Sequence, residues 1–111
     1  MKYIEVSGNT EAEIQASFDE ATKDGIVLIN LWSPWCGPCR MLAPVMEELA
    51  ETNKIVKINT DDCNMLVHKL NIRSIPTILI YKDGIEVERE TGAKSKQHFQ
   101  NLIDKIDETA K

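Results

Sequence analysis

A mixed β-sheet with helices on both faces, an α/β architecture, is what these 111 residues lead one to expect. Three observations point that way. Strand-like and helix-like segments alternate as β α β α β α β β α, and β-α-β crossovers favour parallel strand neighbours. Residues 26–31 form an apolar run broken only by Asn30, the pattern of a central strand covered on both faces. Near the C-terminal end two strand-like runs are joined by Lys82, Asp83 and Gly84, and so short a link forces an antiparallel pair.

Residues 3–6 can form a first short strand. Thr10 and Glu13 then have the spacing of a capping box for a helix reaching about residue 23, with Ile14, Phe18 and Ala21 on one face. Gly25 ends that segment ahead of the strand at 26–31. A second helix is expected over 36–52, with Met41, Val45, Leu49 and Ala50 as its apolar stripe and a kink at Pro44. Residues 55–58 give a third strand, and Asp62 can cap a short helix carrying Met65, Leu66, Lys69 and Leu70. The hairpin strands run over 77–81 and 85–91, with Asp83-Gly84 supplying turn conformations of positive φ. Ser95 can cap a last helix that buries Phe99, Leu102, Ile103 and Ile106. No repeat or linker divides these elements, so residues 1–111 read as one domain.

A chain of this length can remove roughly two thirds of its unfolded surface from water, and needs neither disulfide nor metal to hold its core. Its 42% hydrophobic and 28% charged residues, free of biased stretches, exclude disorder. A net charge of −5 with no Lys/Arg block to reverse it locally excludes a nucleic-acid partner. No stretch is long and uncharged enough to span a membrane. The opening MKYIEVSG carries Glu5 where a signal peptide needs an uninterrupted apolar run, so a cytoplasmic location is expected.

Three cysteines in such a chain point to redox or metal chemistry and not to a structural framework. The pair lies in the run Trp35, Cys36, Gly37, Pro38, Cys39, at the start of the second helix. A thiol is a nucleophile only as thiolate, and the unpaired N–H groups and positive dipole end of a helix N-terminus favour that form at Cys36. Cys39, one turn on, is placed to attack a mixed disulfide at Cys36, so the pair can take two electrons as an internal disulfide with no bound cofactor. Pro38 suits a first-turn position whose N–H has no intrahelical partner, Gly37 permits close approach of a partner chain, and Trp35 adds a flat apolar rim. The competing readings are an inert buried pair and half of a zinc site. A closed zinc site needs two further ligands from Cys63, His68 and His98, which form no second paired motif, so no metal is expected. Cys63 is expected to be an inert spare thiol, and His68 and His98 to lie on surfaces without a role.

At these residues the chain resembles the thioredoxin family, and the likeness covers nearly its whole length. Trp32 and the run 35–39 resemble the family's active-site signature, Pro44 its helix-kink proline, and Ile75-Pro76-Thr77 its cis-proline segment. Lys57, Asp61, the Asp83-Gly84 turn and Gly92 also fall at matching positions. The resemblance implies a five-stranded mixed sheet of order 1-3-2-4-5 flanked by four helices. It implies a cis Ile75-Pro76 bond against the cysteine pair, with Trp35, Gly37, Pro38, Ile75, Pro76 and Gly92 receiving an extended substrate segment. Disulfide-containing client proteins as substrates and recharging by a flavoprotein thioredoxin reductase come with it; a monomer is expected. The lowered pKa of the nucleophile is known from thioredoxins themselves and is carried over from them.

One position departs from the pattern. Asn30 stands where thioredoxins usually have a buried Asp, two residues before Trp32. In the family that carboxylate is implied to take the proton of the second cysteine; an amide has nearly the same shape but cannot take a proton at neutral pH. Cys39 then needs water, the leaving Cys36 thiolate or another group. Lys57, the usual neighbour of that Asp, loses its partner and is expected to turn to solvent, while Asn30 is expected to be a satisfied core amide in a competent enzyme. A general protein-disulfide reductase is therefore the preferred function. A specialised thiol oxidoreductase for one client or reductase, and a redox-independent binding subunit, are the alternatives; the retained thiols with Gly37 and Pro38 argue against the last.

Overall fold

The computed structural model describes residues 2–109. Its elements are β1 (Lys2–Glu5), α1 (Glu11–Thr22), β2 (Ile26–Trp32), α2 (Gly37–Leu49), β3 (Lys54–Asn59), α3 (Asn64–Lys69), β4 (Thr77–Lys82), β5 (Ile85–Thr91) and α4 (Lys96–Thr109). The strands form one sheet in the order β1-β3-β2-β4-β5. Pairing is parallel for β1/β3 and β3/β2 and antiparallel for β2/β4 and β4/β5, so the mixed sheet and its order are as expected.

Alternation along the strands splits the core in two. Val27, Ile29 and Leu31 of β2 pack with Phe18, Ile58, Leu66 and Leu79 on the side of α1 and α3. Leu28 packs with Leu42, Met46, Ile80 and Phe99 on the side of α2 and α4. Asn30, two residues beyond Leu28, shares its face. The ends of the helices follow local chemistry. Thr10 Oγ1 accepts the Glu13 N–H at 3.1 Å, while the Glu13 carboxylate accepts from Asn9 N–H at 2.8 Å, one residue earlier than in a reciprocal box. Ser95 Oγ accepts the His98 N–H at 3.1 Å. In the hairpin turn Asp83 and Gly84 both have positive φ, and the Asp83 carboxylate accepts the Gly25 N–H at 2.8 Å, docking this turn on the one before β2.

Three local expectations fail. Met41 is 77% exposed, and the buried stripe of α2 is Cys39, Leu42, Met46 and Leu49. At about 100° per residue, Met41 stands roughly 120° around the helix from the centre of that stripe. α2 also stops at Leu49, short of residue 52: Asn53 donates to the Leu49 carbonyl through its N–H at 2.9 Å and its side-chain amide at 3.0 Å, turning the chain into β3. Asp62 does not cap α3, whose N-cap is Cys63 with no side-chain cap bond. Asp62 instead belongs to a turn in which its N–H donates to the Asn59 carbonyl at 3.0 Å.

No helix among the described residues is long and apolar enough to cross a membrane. In β4/β5, Ile80 pairs with Glu88 but Tyr81 with Glu86, leaving Val87 as a bulge residue.

Candidate active site

The site is built where β2 feeds α2. Cys36 is the N-cap of that helix, with φ −90° and ψ 113°, and its Sγ accepts the Cys39 N–H at 3.2 Å. The Cys36 N–H donates to Ser33 O at 3.3 Å, and the Cys36 carbonyl accepts from Arg40 N–H at 3.1 Å. A sulfur held this way meets the unpaired donors and the positive dipole end of the helix. Cys36 and Cys39 are joined as a disulfide. They are 6% and 4% exposed, so exposure does not separate them. Hydrogen bonding does: only the Cys36 sulfur receives the helix N–H, whereas Cys39 lies on the buried stripe of α2.

The loop between α3 and β4 closes the other side. Ile75-Pro76 is cis, and the Ile75 carbonyl oxygen lies 3.9 Å from Cys36 Sγ. Pro76 is buried and Ile75 half-buried. The Pro76 carbonyl accepts the Gly92 N–H at 2.9 Å, and Thr77 Oγ1 donates to the Ser74 carbonyl at 2.6 Å. Gly92 has φ +88°, which a side chain would strain, so this position favours glycine. A Cβ on Gly37 would meet nothing within 4 Å, and Pro38 is exposed, leaving this rim open to an approaching chain.

Trp35 is 68% exposed, yet its indole N–H donates to both carboxylate oxygens of Asp61 at 3.1 Å. Asp61 is held in turn by its N–H on Asn59 Oδ1 at 3.0 Å. The sequence marks Asp61 only as a matching position; no local signal assigns it to Trp35. Arg40 donates to the Pro34 carbonyl at 3.0 Å and fastens the loop that carries Trp35.

On the α2 face of the sheet, Asn30 is 3% exposed and its Nδ2 donates to the Tyr3 hydroxyl at 3.3 Å. Its Oδ1 has no partner among the described residues, and neither do Trp32 Nε1 and Ser33 Oγ, so the amide is only half satisfied. Lys57, the β3 register partner of Asn30, does not turn to solvent. Its ammonium lies 5.1 Å from the centre of the Tyr3 ring and 5.4 Å from that of Trp32, where the aromatic faces attract a cation in place of a carboxylate. Burial pushes the Tyr3 phenol pKa up, the Asn30 hydrogen bond opposes this, and the charges of Glu47 and Glu5 add to the rise. Tyr3, read from sequence only as a strand residue, is thus a neutral phenol next to Asn30.

Among the described residues no group of three or more His, Cys, Asp and Glu could hold a metal ion. Cys63 is buried, and burial followed by the charges of Asp62 and Glu5 raises its pKa, which disfavours the reactive thiolate. His68 is exposed, and His98 contacts the Glu90 carboxylate.

The Thioredoxin family model matches residues 9–105. The chain belongs to the thioredoxin family. It is 46% identical over 93 residues to thioredoxin of Bacillus subtilis (strain 168), covering 80% of this chain and 89% of that protein. To Thioredoxin 1 of Synechococcus elongatus it is 47% identical over 83 residues, covering 71% of this chain and 78% of that one. A solved structure of a mutant thioredoxin from Halobacterium salinarum NRC-1 superposes with a TM-score of 0.84 at 32% identity, over 94% of this chain and 89% of that one. With its cysteine pair at the thioredoxin active-site position, the protein is a dithiol–disulfide oxidoreductase that reduces protein disulfides.

Proposed function

We propose that Cys36 makes the first attack and Cys39 the second. The Cys36 thiolate attacks one sulfur of a client disulfide, forming a mixed disulfide and releasing the other client sulfur as thiolate. Cys39, after giving up its proton, attacks the Cys36 sulfur; the Cys36–Cys39 disulfide forms and the second client sulfur leaves reduced. The observation that carries this assignment is the Cys39 N–H donated to Cys36 Sγ at the start of α2. It favours negative charge on Cys36, and nothing comparable is seen at Cys39.

Trp35, Gly37, Pro38, Ile75, Pro76 and Gly92 form the client-binding rim in this reading, supported by the open Gly37 edge and the Ile75 carbonyl beside Cys36. Asn30 takes the place of the usual proton acceptor, and Lys57 stays near it as a cation held on aromatic faces. A flavoprotein thioredoxin reductase returns the two electrons. The protein works as a monomeric single domain over residues 1–111 in the cytoplasm, where thiols are kept reduced, and binds no nucleic acid, cofactor or metal.

Serine variants test the order of attack. Cys36→Ser should bring insulin reduction down to the rate of the free reductant, and Cys39→Ser should accumulate a covalent adduct with the client, seen by mass spectrometry. Turnover that survives Cys36→Ser, or an adduct trapped by that variant instead, rules the assignment out.

A further inference from the structure

The β5 strand carries a device that the redox pair does not itself explain. In a regular strand residues three apart point to opposite faces. The Val87 bulge removes that mismatch: Glu86 pairs with Tyr81 and Arg89 with Leu79, and Tyr81 and Leu79 both belong to the core on the α1/α3 side. Glu86 and Arg89 therefore lie together on the α3 side. There Arg89 Nε and Nη2 donate to the Glu86 carboxylate at 2.8 and 2.9 Å. The remaining donors reach past the end of α3, Nη2 to the Leu70 carbonyl at 2.9 Å and Nη1 to the Asn71 carbonyl at 3.2 Å. Carbonyls at a helix C-terminus lack intrahelical donors, and a guanidinium pre-oriented by a carboxylate suits them well.

Leu70 and Asn71 open the segment that ends in Ile75-Pro76. Asn71 has φ +56°, a conformation that asparagine tolerates and that turns the chain out of α3. The far end of the segment is fixed just past the end of β5, through Gly92 N–H on the Pro76 carbonyl. β5 and the residue that follows it thus hold both ends of the loop that puts the Ile75 carbonyl 3.9 Å from Cys36 Sγ. We propose that Arg89, aimed by Glu86 across the Val87 bulge, is a positioning residue that sets the seat of the Ile75-Pro76 loop and thereby the affinity for protein clients. The inference rests on the assignment of Ile75-Pro76 to the client-binding rim.

A loop displaced from its seat weakens a client that pairs with it along the backbone, but leaves a disulfide too small to reach it unaffected. With dithiothreitol as electron donor, Arg89→Ala should raise KM for insulin about three- to tenfold with kcat nearly unchanged, while hydroxyethyl disulfide is reduced as by the wild type. Arg89→Lys, able to meet one carbonyl as a point donor, should recover part of the loss. Glu86→Ala leaves the guanidinium in place but unaimed, and should give a smaller rise of about twofold in the same KM. An unchanged insulin KM in both alanine variants, or equal losses on insulin and hydroxyethyl disulfide, overturns the role of Arg89. Insulin reduction that survives Cys36→Ser would instead bring down Cys36 as the first attacker and, with it, the client-binding rim placed around Cys36 on which the role of Arg89 rests.

Discussion

Asn30 stands where the resemblance to thioredoxins calls for an Asp, and with it for a proton acceptor. Its amide keeps a bond to Tyr3 and leaves Oδ1 without a partner among the described residues, on the sheet face covered by the helix that buries Cys39. An Asp there could accept both the Tyr3 hydroxyl and the proton of Cys39. Asn30→Asp should therefore speed release of client from the mixed disulfide, by about tenfold or more in single-turnover stopped-flow measurements. It should also make stability more pH-sensitive. Burial raises the folded pKa of such a carboxyl, so its contribution is whole below about pH 4 and is lost as pH climbs through the folded value. Against the wild type, the variant should fall further behind in urea at pH 9 than at pH 5. The half-satisfied Asn30 and the Lys57 position are not written in the strand pattern: both depend on Tyr3, which reaches Asn30 from 27 residues away.

The helices show where local reading works and where it stops. Thr10 and Ser95 were legible as caps because each bonds an N–H three residues along its own chain. Thr10→Ala should lower the unfolding free energy by about 1 kcal/mol in urea titrations, with no effect on insulin reduction, since α1 packs on the face away from α2. A loss near zero would mean that the Asn9–Glu13 bond carries the cap alone. The α2 stripe departs from its apolar pattern at Met41 because hydrophobic character there conflicts with helical phase, and phase is fixed by which side meets the sheet. α3 starts past Asp62, whose N–H is drawn into a turn by the Asn59 carbonyl.

Across the protein, the two core layers share one electrostatic consequence. Burial is the main cause of the raised pKa of Tyr3 on one face of the sheet and of Cys63 and Tyr81 on the other. Each is neutral when protonated, so the folded state holds these protons more tightly than the unfolded chain does. Their stabilising contribution is full below their ordinary values, 9.0 for the thiol and 10.0 for the phenols, and is lost as pH rises through the higher folded values. The oxidised protein should keep its stability up to about pH 9 and lose it progressively above. Cys63→Ala should shift the onset of that loss toward pH 10. A urea midpoint that stays level to about pH 11 would contradict the claim.

The order of strands and helices, the capped starts of α1 and α4, the Asp83-Gly84 turn and the Cys36/Cys39 pair could all be read along the chain. They rest on periods, caps and turns spanning a few residues, and the likeness to thioredoxin supplied the strand order. The settings around the pair came with folding: Asp61 on Trp35 across 26 residues, Arg89 on Leu70 across 19, Lys57 over two aromatic rings. No local pattern encodes such contacts, because each joins side chains whose meeting depends on sheet register, the Val87 bulge and the phase of α2.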